Sequence, residues 1–245
     1  TALKSVDLLR AKASACMADG GAFVFIDAID PVGTLNRAVY ERMGKVFREI
    51  APYQPFLGGR MVQDVAVYLS TASKFDPADS GKRVDDPHLS GHLPHVEAVL
   101  GVCRALLDHH IPYGVITKRN LDDLARHRVV ILPQVLMMDP EEVSALRAKG
   151  QAGGRLYASG CTSLVTTDGV RHADFLLGDV LGVSYAGETT ESFTYIAPEP
   201  GHEGLFPGYT ARYPLGVPAR QQIVRAAAQS AIPPKPMPCF RENGA

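Results

Sequence analysis

Residues 128–159, RVVILPQVLMMDPEEVSALRAKGQAGGRLYAS, decide the fold of this 245-residue chain. Two short apolar runs, VVILP and GRLYAS, flank one segment with helix signals, DPEEVSALRAKG. Asp139 is a typical N-cap, Pro140 suits the first helical position, and the two glutamates that follow favour the positive end of the helix dipole. Two apolar strands that are joined by a single helix predict a parallel βαβ unit.

The same alternation of strands and helices extends toward the N-terminus. Residues 64–70 (DVAVYLS) and 111–117 (IPYGVIT) are short apolar runs that predict strands, and residues 71–93 predict a long polar loop. Helices are predicted over 94–109 and 120–127. This order of elements with short connections predicts an α/β fold, with a doubly wound parallel sheet and helices on both faces.

A separate α-β-α pattern begins the chain. Helix patterns over 2–17 and 36–50 enclose AFVFI, residues 22–26, a continuous apolar run that predicts a buried parallel strand. The strand is predicted to end at Asp27, and a turn that contains Pro and Gly follows it.

The regular pattern weakens after Gly169. Residues 173–183 (ADFLLGDVLGV) predict a helix, and residues 191–198 (ESFTYIAP) predict an edge strand. No strand or helix is predicted from Pro198 onward, because proline and glycine dominate that region.

The composition excludes several classes of function. The net charge is −1 and the basic residues are spread along the chain, which disfavours nucleic acid or an anionic membrane as a partner. No apolar run approaches the roughly 20 residues that span a bilayer, and the first residues do not resemble a signal peptide. The four cysteines form no C-x-x-C pair, so we expect reduced thiols and a cytoplasmic location.

The ordered combination of these segments resembles a known family. GGAFVFIDAIDPVGTLNRAVYERMGKVFREI is similar to the last strand and helix of a glycoside hydrolase (β/α)8 barrel. DVAVYLS, PHVEAVLGVCRALLDHHIPYGVI, RHRVVILPQVLMMDPEEVSALR and AGGRLYASGCTSLVTTDG resemble the beta-galactosidase trimerisation domain, and the similar domain of alpha-L-fucosidase-like, hypothetical glycosyl hydrolases. The resemblance covers about residues 20–190.

The resemblance implies a class I glutamine amidotransferase-like fold, flavodoxin-like in outline, behind a partial (β/α)8-barrel unit. Residues 1–57 would be the C-terminal remnant of the barrel, residues 62–197 the amidotransferase-like trimerisation domain, and residues 198–245 an irregular tail. The chain departs from the family pattern at RAKGQAGGRL and in this tail, which lacks the apolar strands that we expect to close the domain.

The functional hypothesis is a non-catalytic oligomerisation and support domain of a glycoside hydrolase that acts on O-glycosidic bonds and is fucosidase- or galactosidase-like. The resemblance implies homo-oligomers, possibly trimers, and a carbohydrate substrate that two upstream carboxylates hydrolyse in the intact enzyme. This chain alone is expected to be inactive. No cofactor is expected, because the glycine pairs at 58–59 and 153–154 lack the form of a phosphate-binding loop.

Cys161 supports an alternative hypothesis, a stand-alone class I amidotransferase-like hydrolase. It follows a strand and a glycine, as a nucleophile does in the G-x-C-x-G elbow of such enzymes, although serines stand where the elbow has glycines. The expected partners form a His-x-Glu pair, whereas His202 and Glu203 are adjacent and would point to opposite faces of a strand. The competing interpretation is a structural turn in which the hydroxyls of Thr162 and Ser163 satisfy backbone groups.

Two other groups of polar residues are candidates for binding. Asp27 and Asp30 follow the first predicted strand, at the end where barrels carry their binding groups, so they are candidate substrate-binding residues. Alternatively, Asp30 starts a turn and Asp27 caps a neighbouring amide. His88, His92 and His95 lie close in sequence, but a glycine and a proline interrupt them, so a polar loop is favoured over a metal site.

Overall fold

The computed structural model of the chain describes residues 4–27, 29, 31–74, 93–198, 201, 203–205 and 207–227. The chain divides into two compact units, Thr1–Val62 and Gln63–Ala245. None of the helices in the described ranges is long and apolar enough to cross a bilayer.

The first unit is a pair of capped helices. Helix α1 is Val6–Ala18 and helix α2 is Arg37–Ile50, which a 3-10 helix, Ala51–Phe56, follows directly. Ser5 Oγ accepts a hydrogen bond from the first turn of α1, and Asn36 Oδ1 accepts one from the first turn of α2. The two helices pack through a small apolar cluster of Leu9, Ala13, Met43, Val46 and Ile50.

The prediction of a buried strand in AFVFI is wrong. Phe23 and Phe25 pack on the Phe47 ring of α2, with ring centroids 5.5 and 5.4 Å from it. The alternate residues Val24 and Ile26 are 79% and 89% exposed. In the described part of this unit no strand forms hydrogen bonds with the run, so it is not part of a sheet. One side of the run packs against α2.

The second unit contains the predicted alternation of strands and helices. Its strands are β1 (Val65–Tyr68), β2 (Tyr113–Ile116), β3 (Val129–Pro133), β4 (Met137–Met138), β5 (Arg155–Ser159), β6 (Val165–Thr166), β7 (Val183–Glu188), β8 (Thr194–Ile196), β9 (Leu215–Val217) and β10 (Gln222–Ala226). Its helices are α3 (Thr71–Lys74), α4 (Pro94–Asp108), α5 (Pro140–Gln151) and α6 (Gly178–Leu181), with 3-10 helices at Lys118–Arg126 and Glu203–Leu205.

Four strands form the parallel sheet that the sequence predicts. Their order is β2-β1-β3-β5, and each neighbouring pair is parallel. Helix α5 covers one face and α4 packs on the two central strands of the other face. Each sheet face is therefore covered by a helix that connects two parallel strands, as right-handed crossovers require.

The face under α5 holds the main core of the unit. Asp139 caps α5 as predicted: its Oδ1 accepts from Glu142 N, and Glu142 Oε2 accepts from Asp139 N, both at 2.9 Å. The buried residues of this core are Ala66, Tyr68, Ile116, Leu124, Val130, Leu132, Val135, Met138, Val143, Leu146 and Leu177.

The sequence prediction is only partly correct in the C-terminal third of the chain. The helix predicted over 173–183 is reduced to α6, because Ser163 O accepts from Leu176 N at 2.9 Å and fixes a turn there. The predicted edge strand contains β8, which pairs with β9, while β10 pairs with β7. Strands β9 and β10 lie where no element was predicted, because short, half-exposed strands carry little hydrophobic pattern.

Candidate functional site

The turn after β5 carries the candidate nucleophile Cys161. The preceding residue, Gly160, has a φ of 59°, a conformation that favours glycine. A Cβ added to Gly160 would lie 2.2 Å from Gln134 Oε1, so a larger residue does not fit without movement. Close packing against the neighbouring loop therefore explains why a glycine occupies position 160.

The two hydroxyls beside Cys161 bind the backbone, as the structural interpretation predicted. Thr162 Oγ1 lies 2.8 Å from Ser159 O and accepts from Val135 N at 3.0 Å. Ser163, whose φ is 64°, accepts from Leu177 N at 3.2 Å through its Oγ. These bonds tie the ends of β3 and β5 to the segment before α6, so both side chains have a clear structural role.

Cys161 itself is half-buried against an apolar cluster, and its polar neighbour is Arg171. Burial acts to lower the pKa of the Arg171 guanidinium, but the Tyr185 and Cys161 side chains raise it, and the net shift is upward. Of the predicted partners, His202 lies outside the described residues. Glu203 Oε1 accepts from Gly201 N at 3.0 Å. The Cys-His-Glu triad therefore stays a prediction.

The described residues of the first unit include one of the two candidate substrate-binding carboxylates. Asp27 is half-buried, and its Oδ2 atom is buried with no hydrogen-bond partner in the part of the chain that the structure describes. Asp30 lies outside the described residues. A role for this pair in binding a sugar stays a prediction.

His95 is a structural residue of the second unit. Its ring is fully buried, Nδ1–H donates to Pro133 O at 2.8 Å, and Nε2 accepts from Ser70 N at 2.9 Å. Burial lowers its pKa, so the ring is neutral and joins the carboxyl ends of β1 and β3. His88 and His92 lie outside the described residues. Across the described ranges, no three His, Cys, Asp or Glu side chains are grouped closely enough to hold a metal.

A buried polar pair at the end of β1 was not predicted. Tyr68 OH donates to Glu142 Oε1 at 2.5 Å, and both residues are buried. Burial, followed by the hydrogen bond to Glu142, raises the pKa of Tyr68 far above its ordinary value. Outside the core, Lys118 pairs with Asp139 and lies 3.3 Å from Glu141. The capping box is a sequence signal for the bonds between Glu142 and Asp139, but not for the bond to Tyr68.

The sheet face under α4 is covered in its middle and exposed at both edges. The register aligns Val115, Val67, Ile131 and Tyr157 in one row across the four strands. Val67, on a central strand, is completely buried. Val115 on edge strand β2 is 45% exposed, and Tyr157 on edge strand β5 is 60% exposed. The side chains of Val115 and Tyr157 form the uncovered ends of the row. Because successive side chains of a strand point to opposite faces, the sequence could have assigned both residues to this face.

The family comparison identifies the second unit. The sequence profile of the beta-galactosidase trimerisation domain matches residues 63–212, more than half of the chain. The chain belongs to the beta-galactosidase trimerisation domain family. The matched segment of this trimerisation domain includes the parallel sheet, the Cys161 turn and the uncovered row ends. No curated protein matches the chain.

Solved structures share the fold of the trimerisation domain and of the residues around it. Alpha-L-fucosidase isoenzyme 2 from Paenibacillus thiaminolyticus is 21% identical with a TM-score of 0.63, over 91% of this chain and 31% of its own. The cold-adapted beta-galactosidase from Rahnella sp. R3 is 23% identical with a TM-score of 0.59, over 81% and 28%. The beta-galactosidase from Bacillus circulans sp. alkalophilus is 17% identical with a TM-score of 0.61, over 81% and 28%.

These similarities define the fold and the extent of the match. The chain spans about a third or less of the length of each of these enzymes. At such low sequence identity the similarity shows a common α/β architecture with a parallel sheet, which confirms the fold class at that level.

Proposed function

We propose that the chain is a non-catalytic oligomerisation and support domain of a glycoside hydrolase. The observation that carries this proposal is the match of residues 63–212 to a trimerisation domain. The polar side chains at the carboxyl edge of the sheet also support it. His95, Thr162 and Ser163 all bond to backbone groups that hold neighbouring segments together, which is the behaviour of structural residues.

The parent enzyme would hydrolyse O-glycosidic bonds and be fucosidase- or galactosidase-like. The names of the enzymes that share its fold support this range of substrates. We further propose the class I glutamine amidotransferase-like, flavodoxin-like fold for residues 62–197, which the β2-β1-β3-β5 order supports. Residues 1–57 would be a remnant of a (β/α)8 barrel, residues 198–245 would follow as a tail, and the catalytic carboxylates would belong to other barrel strands.

The partners in this proposal are further copies of the chain, and the intact enzyme would bind carbohydrate. We keep a cytoplasmic location as part of the proposal. Among the described residues, Cys16 and Cys103 form no disulfide, which supports a reducing compartment.

Sedimentation and activity measurements test the proposal on the 245-residue chain. Sedimentation equilibrium should give a multiple of 26.3 kDa, with a trimer at three times that mass. The same preparation should not hydrolyse nitrophenyl β-galactoside or nitrophenyl α-fucoside. A monomer at every concentration, or turnover of either glycoside by the purified chain, would contradict the proposal.

A hydrolase that uses Cys161 is the second candidate, because the cationic Arg171 beside a thiol favours the reactive thiolate. Alkylation by iodoacetamide near neutral pH, followed by peptide mass spectrometry, compares Cys161 with the half-buried Cys103 in the same chain. Under the main proposal the two thiols react at similar rates, and Cys161→Ala leaves the oligomer unchanged. Much faster alkylation of Cys161, with amide hydrolysis that Cys161→Ala abolishes, would favour the hydrolase.

A further inference from the structure

We infer that copies of this chain associate head to tail, with the Val115 end of the sheet row in one copy against the Tyr157 end in the next. This inference rests on the proposed oligomerisation function and adds the location and symmetry of its interface. The partner is a second copy of this chain, because the family that the sequence matches is defined by trimerisation.

The two row ends are the uncovered continuation of one packed layer. Val67 and Ile131 occupy the middle of the row, beneath α4, which packs on β1 and β3. Val115 and Tyr157 belong to the same row but stand on the edge strands β2 and β5. Both side chains therefore point to the α4 side of the sheet and remain substantially exposed, where a neighbouring molecule can cover them.

Threefold symmetry requires two different surfaces on each copy. A twofold dimer joins a surface to itself, whereas a closed ring of three joins one surface of each copy to a second surface of the next. The Val115 and Tyr157 ends meet this requirement, since they lie at opposite edges of one sheet and differ in shape. An aliphatic side chain at one end and an aromatic ring at the other can bury apolar surface against each other.

The charges near the N-terminal ends of the two edge strands are also complementary. Arg155 is exposed and precedes Tyr157 by two residues on β5, so both point to the same face. Asp108 ends α4 just before β2, and its side chain is mostly exposed with a long 3.9 Å contact to Arg104. Because α4 connects β1 to the parallel β2, Asp108 and Arg155 both lie near the N-terminal ends of the strands. This arrangement favours the contact of one edge with the other over contact of either edge with itself.

Two single variants and their mixture test the inference. Val115→Lys and Tyr157→Lys each place a charge at one row end and leave the other end intact. Val170→Lys and Tyr213→Lys are matched controls, because these residues are similarly exposed elsewhere in the same unit. Each protein is examined by sedimentation equilibrium and by circular dichroism, which checks that the variants remain folded.

The expected result is that each row-end variant alone is a monomer of 26.3 kDa while both controls keep the oligomer. An equimolar mixture of the two row-end variants should form a dimer of twice that mass, because one copy supplies an intact Val115 end and the other an intact Tyr157 end. This complementation can occur only between two folded proteins, so it also excludes misfolding as the cause of the monomers.

The other outcomes overturn the inference. If the unchanged chain forms an oligomer that both variants retain, the interface lies elsewhere and the proposed function stands. If one variant alone dissociates, or if the mixture of monomers forms no dimer, the two ends do not bind each other. A monomeric unchanged chain would instead contradict the proposed function itself.

Discussion

The two faces of the parallel sheet differ in how completely they are covered. The face under α5 is closed, and even its buried carboxylate, Glu142, has a phenol and a backbone amide as partners. The face under α4 is closed over the central strands, and its row ends in the exposed Val115 and Tyr157. The closed face has the features that stabilise the unit, whereas the open edges have those of a surface for assembly. Changes on the two faces should therefore affect different measurements.

The largest effect is expected from a cavity in the closed face. Leu132 is fully buried in the main core, so Leu132→Ala should lower the free energy of unfolding by about 2–5 kcal/mol. Val115→Ala on the open edge should change it by less than about 0.5 kcal/mol. Urea unfolding at a protein concentration too low for self-association measures both, since association would otherwise shift the midpoint. Equal losses from the two variants would show that the faces do not differ in this way.

The buried Tyr68–Glu142 pair should give the next largest effect. Tyr68→Phe removes the phenol that donates to Glu142 Oε1 and leaves a buried carboxylate oxygen without that donor. We expect a loss of about 1–3 kcal/mol in the free energy of unfolding. Tyr157→Phe removes the same hydroxyl from an exposed ring and should leave stability nearly unchanged. A Tyr68→Phe protein as stable as the unchanged chain would contradict a structural role for the pair.

The closed face was largely predictable from the sequence, and the reason is visible in α5. Asp139, Pro140 and Glu142 mark the start of the helix through local chemistry, and VVILP and GRLYAS are apolar runs of strand length. Such signals depend on neighbours in the chain. The bond between Tyr68 and Glu142 joins residues 74 positions apart, so no local pattern could have revealed it.

The regions that were predicted incorrectly are those whose partners come from distant parts of the chain. AFVFI has the composition of a buried strand, but in the described residues Phe23 and Phe25 pack on a helix and no strand pairs with the run. Strand β10 is a weak pattern that becomes a strand because β7 pairs with it. For the candidate site, the structural role of Thr162 and Ser163 was predicted, whereas the proximity of Arg171 to Cys161 depends on tertiary structure.

His95 joins α4 to the ends of β1 and β3 and should make stability depend on pH. Burial lowers its pKa in the folded chain, whereas a histidine in the unfolded chain takes up a proton below about pH 6.5. The unfolded state then binds more protons than the folded state, so stability is lost as the pH falls through and below that value. His95→Gln should flatten this dependence by up to about 1.4 kcal/mol per pH unit.

Unfolding in urea at several values of pH measures the contribution of His95. His109→Gln is the control, because it makes the same replacement at an exposed histidine at the end of α4. Part of the slope should remain in His95→Gln, since burial also lowers the pKa of His127. A steeper loss of stability at acidic pH in His95→Gln would contradict the sign of this prediction.

The smallest effect is expected from the charge at the rim of the open edge. Arg155→Glu reverses the charge beside Tyr157, and we expect it to weaken self-association by less than about fivefold without changing the free energy of unfolding. Because exposed charges are screened, the effect should shrink at high salt. Arg212→Glu reverses an exposed charge in the segment before β9 and serves as the control. Weakening that persists at high salt, or that Arg212→Glu reproduces, would show that Arg155 is not at the interface and that the open edges differ only in their apolar side chains.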